Sequence, residues 1–450
     1  MFIDFLLDRF NAHPEHEAVV WEGQRFTYGA IAERVSHWRS DIVSRQIVPG
    51  TVVGLEGDFS PNSIALLLAL AEHACIAVPY SNVSQKNRAR KDNIAQLERY
   101  YRVDAADAVT FETTGRTAEH PLYSALRARR HPGLVLFTSG TSGDPKAAVH
   151  DFIFLLEKYE VHRKGMNTLN FLLFDHWGGL NTVLHTLSNG GTTVTVRDRS
   201  PDSVCRLIQD FGVQLLPATP TFLNLLLISG AQKKYDLSSV EVISYGAEPM
   251  PQSTLDHLAT VFPHVTLQQT YGLIEVGVLR SKSKNNGSLW VKIGGEGFET
   301  RVVDGMLQIK SRSAILGYLN AATAITPDGW FMTGDAVEQD GEYFRILGRK
   351  SEIINVGGEK VYPIEVESVI QAMDNVLEAT VYAEKNLLLG NIVCAKVRLA
   401  EAQDPHEFAN SLKSFCQSRL ERYKVPVKVI VMDQEHFGDR FKKVRVDITR

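Results

Sequence analysis

Short apolar runs alternating with helical patterns confine the first third of this chain to a wound α/β architecture. Helical spacing over residues 2–12 leads to a strand pattern at 17–21 and a turn at Glu22-Gly23. A helix over 27–44, a strand over 51–55, a helix over 60–74 and a strand over 76–79 follow in that order. Later stretches repeat the alternation through 191–196, 201–210, 213–217, a helix over 221–229 and a strand over 240–245. Such a pattern predicts strands buried by helices.

Composition narrows the class. At 450 residues, 44% hydrophobic, 22% charged and a net charge of −4, the chain has core enough for two or three domains and no composition of disorder. The near-neutral balance gives no nucleic-acid signal. Cys75, Cys205, Cys394 and Cys416 lie far apart with no CxxC pair, which argues against a zinc site or a disulfide framework and points to buried thiols in a reducing cytoplasm. Asp4, Asp8 and Arg9 interrupt what would be the apolar part of a signal peptide, and no run of about eighteen apolar residues occurs later. The expectation is a cytoplasmic protein that neither leaves the cell nor spans a membrane. The basic cluster Lys86, Arg88, Arg90 and Lys91 reads as a solvated helix face, with a partner site as the alternative.

The chemistry gathers in residues 134–150, LVLFTSGTSGDPKAAVH. An apolar strand runs into hydroxyls from Thr138, Ser139, Thr141 and Ser142, glycines at Gly140 and Gly143, and Lys146. Hydroxyl donors, backbone N–H groups that glycine leaves accessible and one mobile cation make a grip for phosphates. A flexible Ser/Gly linker is the alternative. No Gly-Lys dipeptide occurs anywhere, so a Walker A loop is disfavoured.

This loop resembles the signature of the adenylate-forming superfamily, which holds acyl-CoA synthetases, peptide-synthetase adenylation domains and luciferases. Ala147 and Ala148 stand where that family usually has glycine after the lysine. Further segments resemble the family in its own order. Gly246-Ala247-Glu248-Pro249 is similar to its adenine-binding turn, and Gln269-Thr270-Tyr271-Gly272-Leu273-Ile274-Glu275 to its YGxTE motif, with Ile274 in place of threonine. By resemblance Tyr271 stacks on adenine and Glu275 holds magnesium, as an aromatic face and a hard carboxylate suit. Thr333-Gly334-Asp335 and the segment Ile346-Leu347-Gly348-Arg349-Lys350 match its TGD and GRK segments. They imply that Asp335 takes the ribose hydroxyls and Arg349 the ribose or phosphates. His176-Trp177-Gly178-Gly179-Leu180 resembles the segment whose histidine lies beside the reacting carboxylate, with Trp177 and Gly246 walling the acyl pocket. Phe174-Asp175 resembles, one residue out of step, the pair whose aspartate holds an amino-acid ammonium.

The resemblance implies a large N-terminal domain of wound α/β subdomains with a small β subdomain, read from residues 307–318 onward, over 1–349. A small mobile α+β domain over 350–450 follows, hinged near 349–352. Gly357-Gly358 would line a thiol channel or merely turn a strand, and Pro363 opens a helix. The family's catalytic lysine falls on Lys443 or its neighbour Lys442, with Lys443 the better fit. The implied function is ATP- and Mg2+-dependent activation of a small carboxylic acid to an acyl-adenylate, then transfer to coenzyme A or to the phosphopantetheine thiol of a separate acyl carrier protein, since no carrier domain follows Arg450. A non-amino acid is expected because His176 is in register and Asp175 is not. An amino-acid-activating enzyme and a non-catalytic nucleotide binder are the alternatives.

Overall fold

The computed structural model describes residues 2–81, 85–138, 145–295 and 297–432. Among these, two seven-stranded sheets, a six-stranded antiparallel sheet and a three-stranded sheet hold most of the strands. The first sheet runs in the order Thr266–Gln269, Val242–Tyr245, Leu215–Ala218, Thr168–Asn170, Thr193–Thr195, Glu17–Trp21 and Gln24–Thr27, parallel except for its final hairpin. The second sets Gly133–Thr138 between Ile76–Tyr80 and Lys146–Asp151.

Helix starts follow local chemistry. Ser60, Ser200 and Thr219 each precede a proline, and each side chain accepts a hydrogen bond from a first-turn backbone N–H. The hydroxyl satisfies an otherwise orphaned donor while proline supplies a helical φ without needing one. The helix Pro61–Glu72 is buried along nearly its whole length, as its PNSIALLLALAE sequence requires, and Glu72 ends it by accepting from the backbone of Phe2 and Ile3 at 3.0 and 3.1 Å. The N-terminal helix begins at Asp4, with Ile3 in the non-helical cap position, two residues later than the sequence pattern suggests.

The expected β subdomain is real but its membership differs. Met306–Ser311 lies in the antiparallel sheet, whereas Gly317–Tyr318 crosses to the second sheet and pairs with Lys146–Asp151. Leu316 N–H and Leu319 N–H donate to Val149 and Ala147 at 2.8 and 2.9 Å, so backbone pairing, which sequence periodicity does not register, decides where this segment goes. After the helical turn Lys350–Glu352, the chain builds its own apolar cluster from Ile354 to Val425, around a three-stranded sheet and the helices Pro363–Ile370 and Pro405–Gln417. No described helix is long and apolar enough to cross a membrane.

The basic cluster is only partly a solvated face: Arg90 is exposed and the side chain of Lys86 lies outside the described residues, but Arg88 and Lys91 are half-buried. Arg88 lies 4.1 Å over the Tyr100 ring and 3.4 Å from Glu56, and Lys91 lies over Tyr80 and Phe137 and 3.9 Å from Asp175. Long basic side chains cover aromatic surface with their stems while the charge finds a partner.

Candidate active site

A cavity of about 880 Å³ opens where Leu215–Ala218, Val242–Tyr245 and Thr266–Gln269 end, and turns that follow these strands line it. Carboxyl ends of parallel strands are where α/β folds leave room for ligands. At Gly246 an added Cβ would meet Thr270 Oγ1 at 2.5 Å, so only glycine lets the two turns approach. Ala247 then turns with φ +68, and Glu248 accepts from the Thr221 hydroxyl at 2.6 Å. Gly246, Ala247, Glu248, Thr270, Tyr271 and Gly272 all face the cavity.

Opposite them stands a network from the antiparallel sheet. Asp335, 5% exposed, receives the Tyr271 hydroxyl on one oxygen and Arg349 Nε on the other at 2.8 Å. Arg349 also donates to the Thr333 carbonyl at 2.9 Å. Burial pushes the Asp335 carboxyl above its usual range, against the pull of Arg349 and the phenol. Ile346 lines the same end.

Thr138 and Lys146 reach the cavity from the second sheet. The Lys146 ammonium lies 5.7 Å over the Tyr318 ring, and Tyr318 donates its hydroxyl to Glu275 at 2.5 Å. Tyr318 was missed from sequence because its place depends on the strand crossing just described. Glu275 places one carboxylate on the cavity near Lys146, the kind of single hard ligand that Mg2+ takes together with substrate phosphates. Ile274 lines the cavity and packs on the main core, so its side chain fills space rather than offering a hydroxyl.

His176 caps the helix Trp177–Ser188, its Nδ1 accepting from Gly178 N–H at 3.1 Å. Gly178, Asn181, Thr182, His185 and Thr186 then line the cavity in helical spacing, so this helix forms one wall. Lys158 lies on this wall, its ammonium bonded to Asn181 Oδ1 and, at 3.1 Å, to the Val278 carbonyl. Burial pulls its pKa down to about 7, aided by the charges of Arg163 and Arg280. Nothing in the local sequence singles this lysine out.

Two expected site groups lie elsewhere. Asp175 does not line the cavity: it is 5% exposed, accepts from Ser81 Oγ at 2.6 Å and faces Lys91. His176 has extended backbone, φ −119 and ψ 134, so neighbouring side chains leave on opposite sides and only one of the two enters the cavity. Gly357 and Gly358, with φ +62 and +99, form the turn between Ile354–Val356 and Glu359–Val361 and do not line the cavity either. Ser139, Gly140, Thr141, Ser142, Gly143, Lys442 and Lys443 lie outside the described residues.

Residues 81–305 match the AMP-binding enzyme family and 365–436 its C-terminal domain. The indoleacetate–CoA ligase of Aromatoleum aromaticum is 27% identical over 331 residues, 67% of this chain and 64% of that protein, so the chain spans less than two thirds of that relative. The 2-succinylbenzoate–CoA ligase of Bacillus cytotoxicus is 24% identical across 96% of this chain and 95% of its own. The structure of the anthranilate CoA ligase AuaEII in complex with anthranoyl-AMP superposes with TM-score 0.83 at 17% identity, covering 98% of this chain and 95% of that one. With half its length matched, and with a mixed α/β N-terminal unit and small C-terminal unit like those of adenylate-forming enzymes, the chain belongs to the AMP-binding enzyme family.

Proposed function

We propose that this protein is an AMP-forming acid–thiol ligase. A carboxylate oxygen attacks the α-phosphorus of ATP, the bond from that phosphorus to the bridging oxygen breaks, and pyrophosphate leaves. A thiol then adds to the acyl carbon of the adenylate and AMP departs. The observation that carries this reading is the convergence of Asp335, Arg349, Lys146, Glu275 and His176 on one cavity in a chain of this family.

Asp335 offers carboxylate acceptors to the ribose hydroxyls while Arg349 holds that carboxylate in place. Tyr271 presents a ring at the adenine turn, fixed through its hydroxyl. Lys146, set over Tyr318, meets phosphate oxygens, and Glu275 would hold a magnesium ion that neutralises phosphate charge. With Nδ1 accepting from Gly178, the Nε2–H of His176 is the ring group that can donate a hydrogen bond to the reacting carboxylate, keeping its proton. Lys443, or Lys442 beside it, takes the tail position at which a cation bridges carboxylate and α-phosphate. Ile364, Gln371, Glu378 and Arg398 roof the cavity, and the turn Lys350–Glu352 is the pivot we assign to a swing between the two half-reactions. Coenzyme A, in keeping with the names of the relatives, is the acceptor we favour over a carrier-bound pantetheine. Unpaired, buried cysteines and a need for ATP suit a cytoplasmic site of action.

ATP–pyrophosphate exchange across fatty, aryl, hydroxy, amino and dicarboxylic acids tests the proposal. Exchange with at least one acid is expected. Binding of AMP without exchange across the whole panel would instead identify a nucleotide sensor.

A further inference from the structure

Lys158 is a charge that the nucleotide chemistry does not use. Its ammonium has three donors; among the described residues two meet Asn181 Oδ1 and the Val278 carbonyl, both neutral, and no carboxylate lies within ion-pair distance. The rings of Tyr159 and Trp177 flank it at 4.9 and 5.7 Å. The half-buried side chain has its remaining surface on the cavity. Arg163 and Arg280 line the cavity too, and their like charges act on Lys158.

A cation drawn partly out of water and held by neutral groups is costly, and an anion is one compensation. Asn181, which positions the ammonium, lies five residues beyond His176 along the wall helix, roughly 7 to 8 Å down its axis at 1.5 Å per residue. One end of the wall therefore meets the reacting carboxylate and the next turn presents a cation to whatever lies behind it.

We propose that the acid activated here is a dicarboxylic acid, whose second carboxylate docks on Lys158 while the first reacts beside His176. This rests on the ligase reading given above and sets its substrate class. The positive charge of Arg163 at the cavity draws the doubly charged acid in, and Lys158 selects it. A monocarboxylic acid of the same length leaves the ammonium uncompensated, which is the discrimination that a built polar site exerts against a guest lacking the matching group.

The test compares a short dicarboxylic acid with its own monomethyl ester, which keeps shape and removes one charge, in pyrophosphate exchange by the wild-type protein and by Lys158→Met. The wild type is expected to prefer the diacid by roughly a hundredfold in kcat/KM, the scale of an ion pair formed out of water. In Lys158→Met the two substrates should come within about threefold of each other. KM for ATP, read in the same assay, separates loss of one charge from a collapsed cavity. Equal use of diacid and half-ester by the wild type overturns the proposal, as does an unchanged ratio in the variant. Should the variant not fold, the wild-type ratio decides alone. Exchange with monocarboxylic acids only would keep the ligase reading and sink this inference, whereas no exchange with any acid would sink both.

Discussion

At the end of the cavity where Asp335, Arg349 and Tyr271 meet, carboxylate, guanidinium and phenol already satisfy one another, and Glu275 is bonded to Tyr318. At the end where Lys158 lies, the ammonium's hydrogen-bond partners among the described residues are an amide oxygen and a carbonyl, both neutral. The first arrangement suits a guest that never changes, because groups fixed in advance lose little freedom when it arrives. The second suits a guest that brings its own charge and is chosen for it. One end is thus built for a common co-substrate and the other for discrimination.

The largest effect that can break this comparison is at Lys146. If it serves the common co-substrate, Lys146→Ala should lower exchange by roughly a hundredfold or more for every acid alike, the scale of one lost preorganised charge. Rates measured with two unrelated acids would contradict the division of labour if only one of them fell. A smaller effect is expected at Asp175. Held by Ser81 and Lys91 behind the cavity wall, it should contribute to folding and not to selection. Asp175→Asn should cost about 1 to 3 kcal/mol in urea unfolding while leaving the order of preference among acids as it was. A reordered preference would place that carboxylate in the acyl pocket after all.

The smallest effect is one of stability, and it has the opposite sign. Burial lowers the Lys158 pKa from 10.5 to about 7, so below pH 7 both folded and unfolded chains carry the proton and the fold bears the full cost of the buried charge. Between about 7 and 10.5 the folded chain is neutral there while the unfolded chain still binds the proton, so stability rises with pH. Above that range the cost is gone. His185, Arg163, Arg280, Asn181 and the Tyr159 and Trp177 rings face the same ammonium, and the nearby cations act in the same direction. Lys158→Met should therefore be more stable than wild type at pH 6, by about 1 kcal/mol, with the gap closing toward pH 10. Urea midpoints at pH 6 and pH 9 show the trend, and a variant less stable at pH 6 would refute it.

How far the sequence could be read follows the same division. Gly246, Asp335 and the Thr270-Tyr271-Gly272 turn stand in short local segments whose consecutive residues carry a pattern, and the structure brings all of them to the cavity. Lys158, Asn181 and Val278 come from three separate stretches, ordinary in each, and only the fold makes them neighbours. Asp175, next to His176, lies off the cavity because adjacency in sequence means opposite directions in extended backbone. Tyr318 was read into the wrong sheet because strand periodicity gives a face and not a partner. Strand and helix positions fared better, as at 17–21, since apolar runs and Ser-Pro or Thr-Pro starts are local signals.

The roof of the cavity belongs to a different apolar core from its floor, and Asn224, on the helix Pro220–Ser229, ties the two by donating to the Leu377 carbonyl at 2.9 Å. A guest filling the space between them touches both cores at once. Its binding energy then opposes the melting of either, so the two units should unfold as one while it is held and become more separable when it leaves.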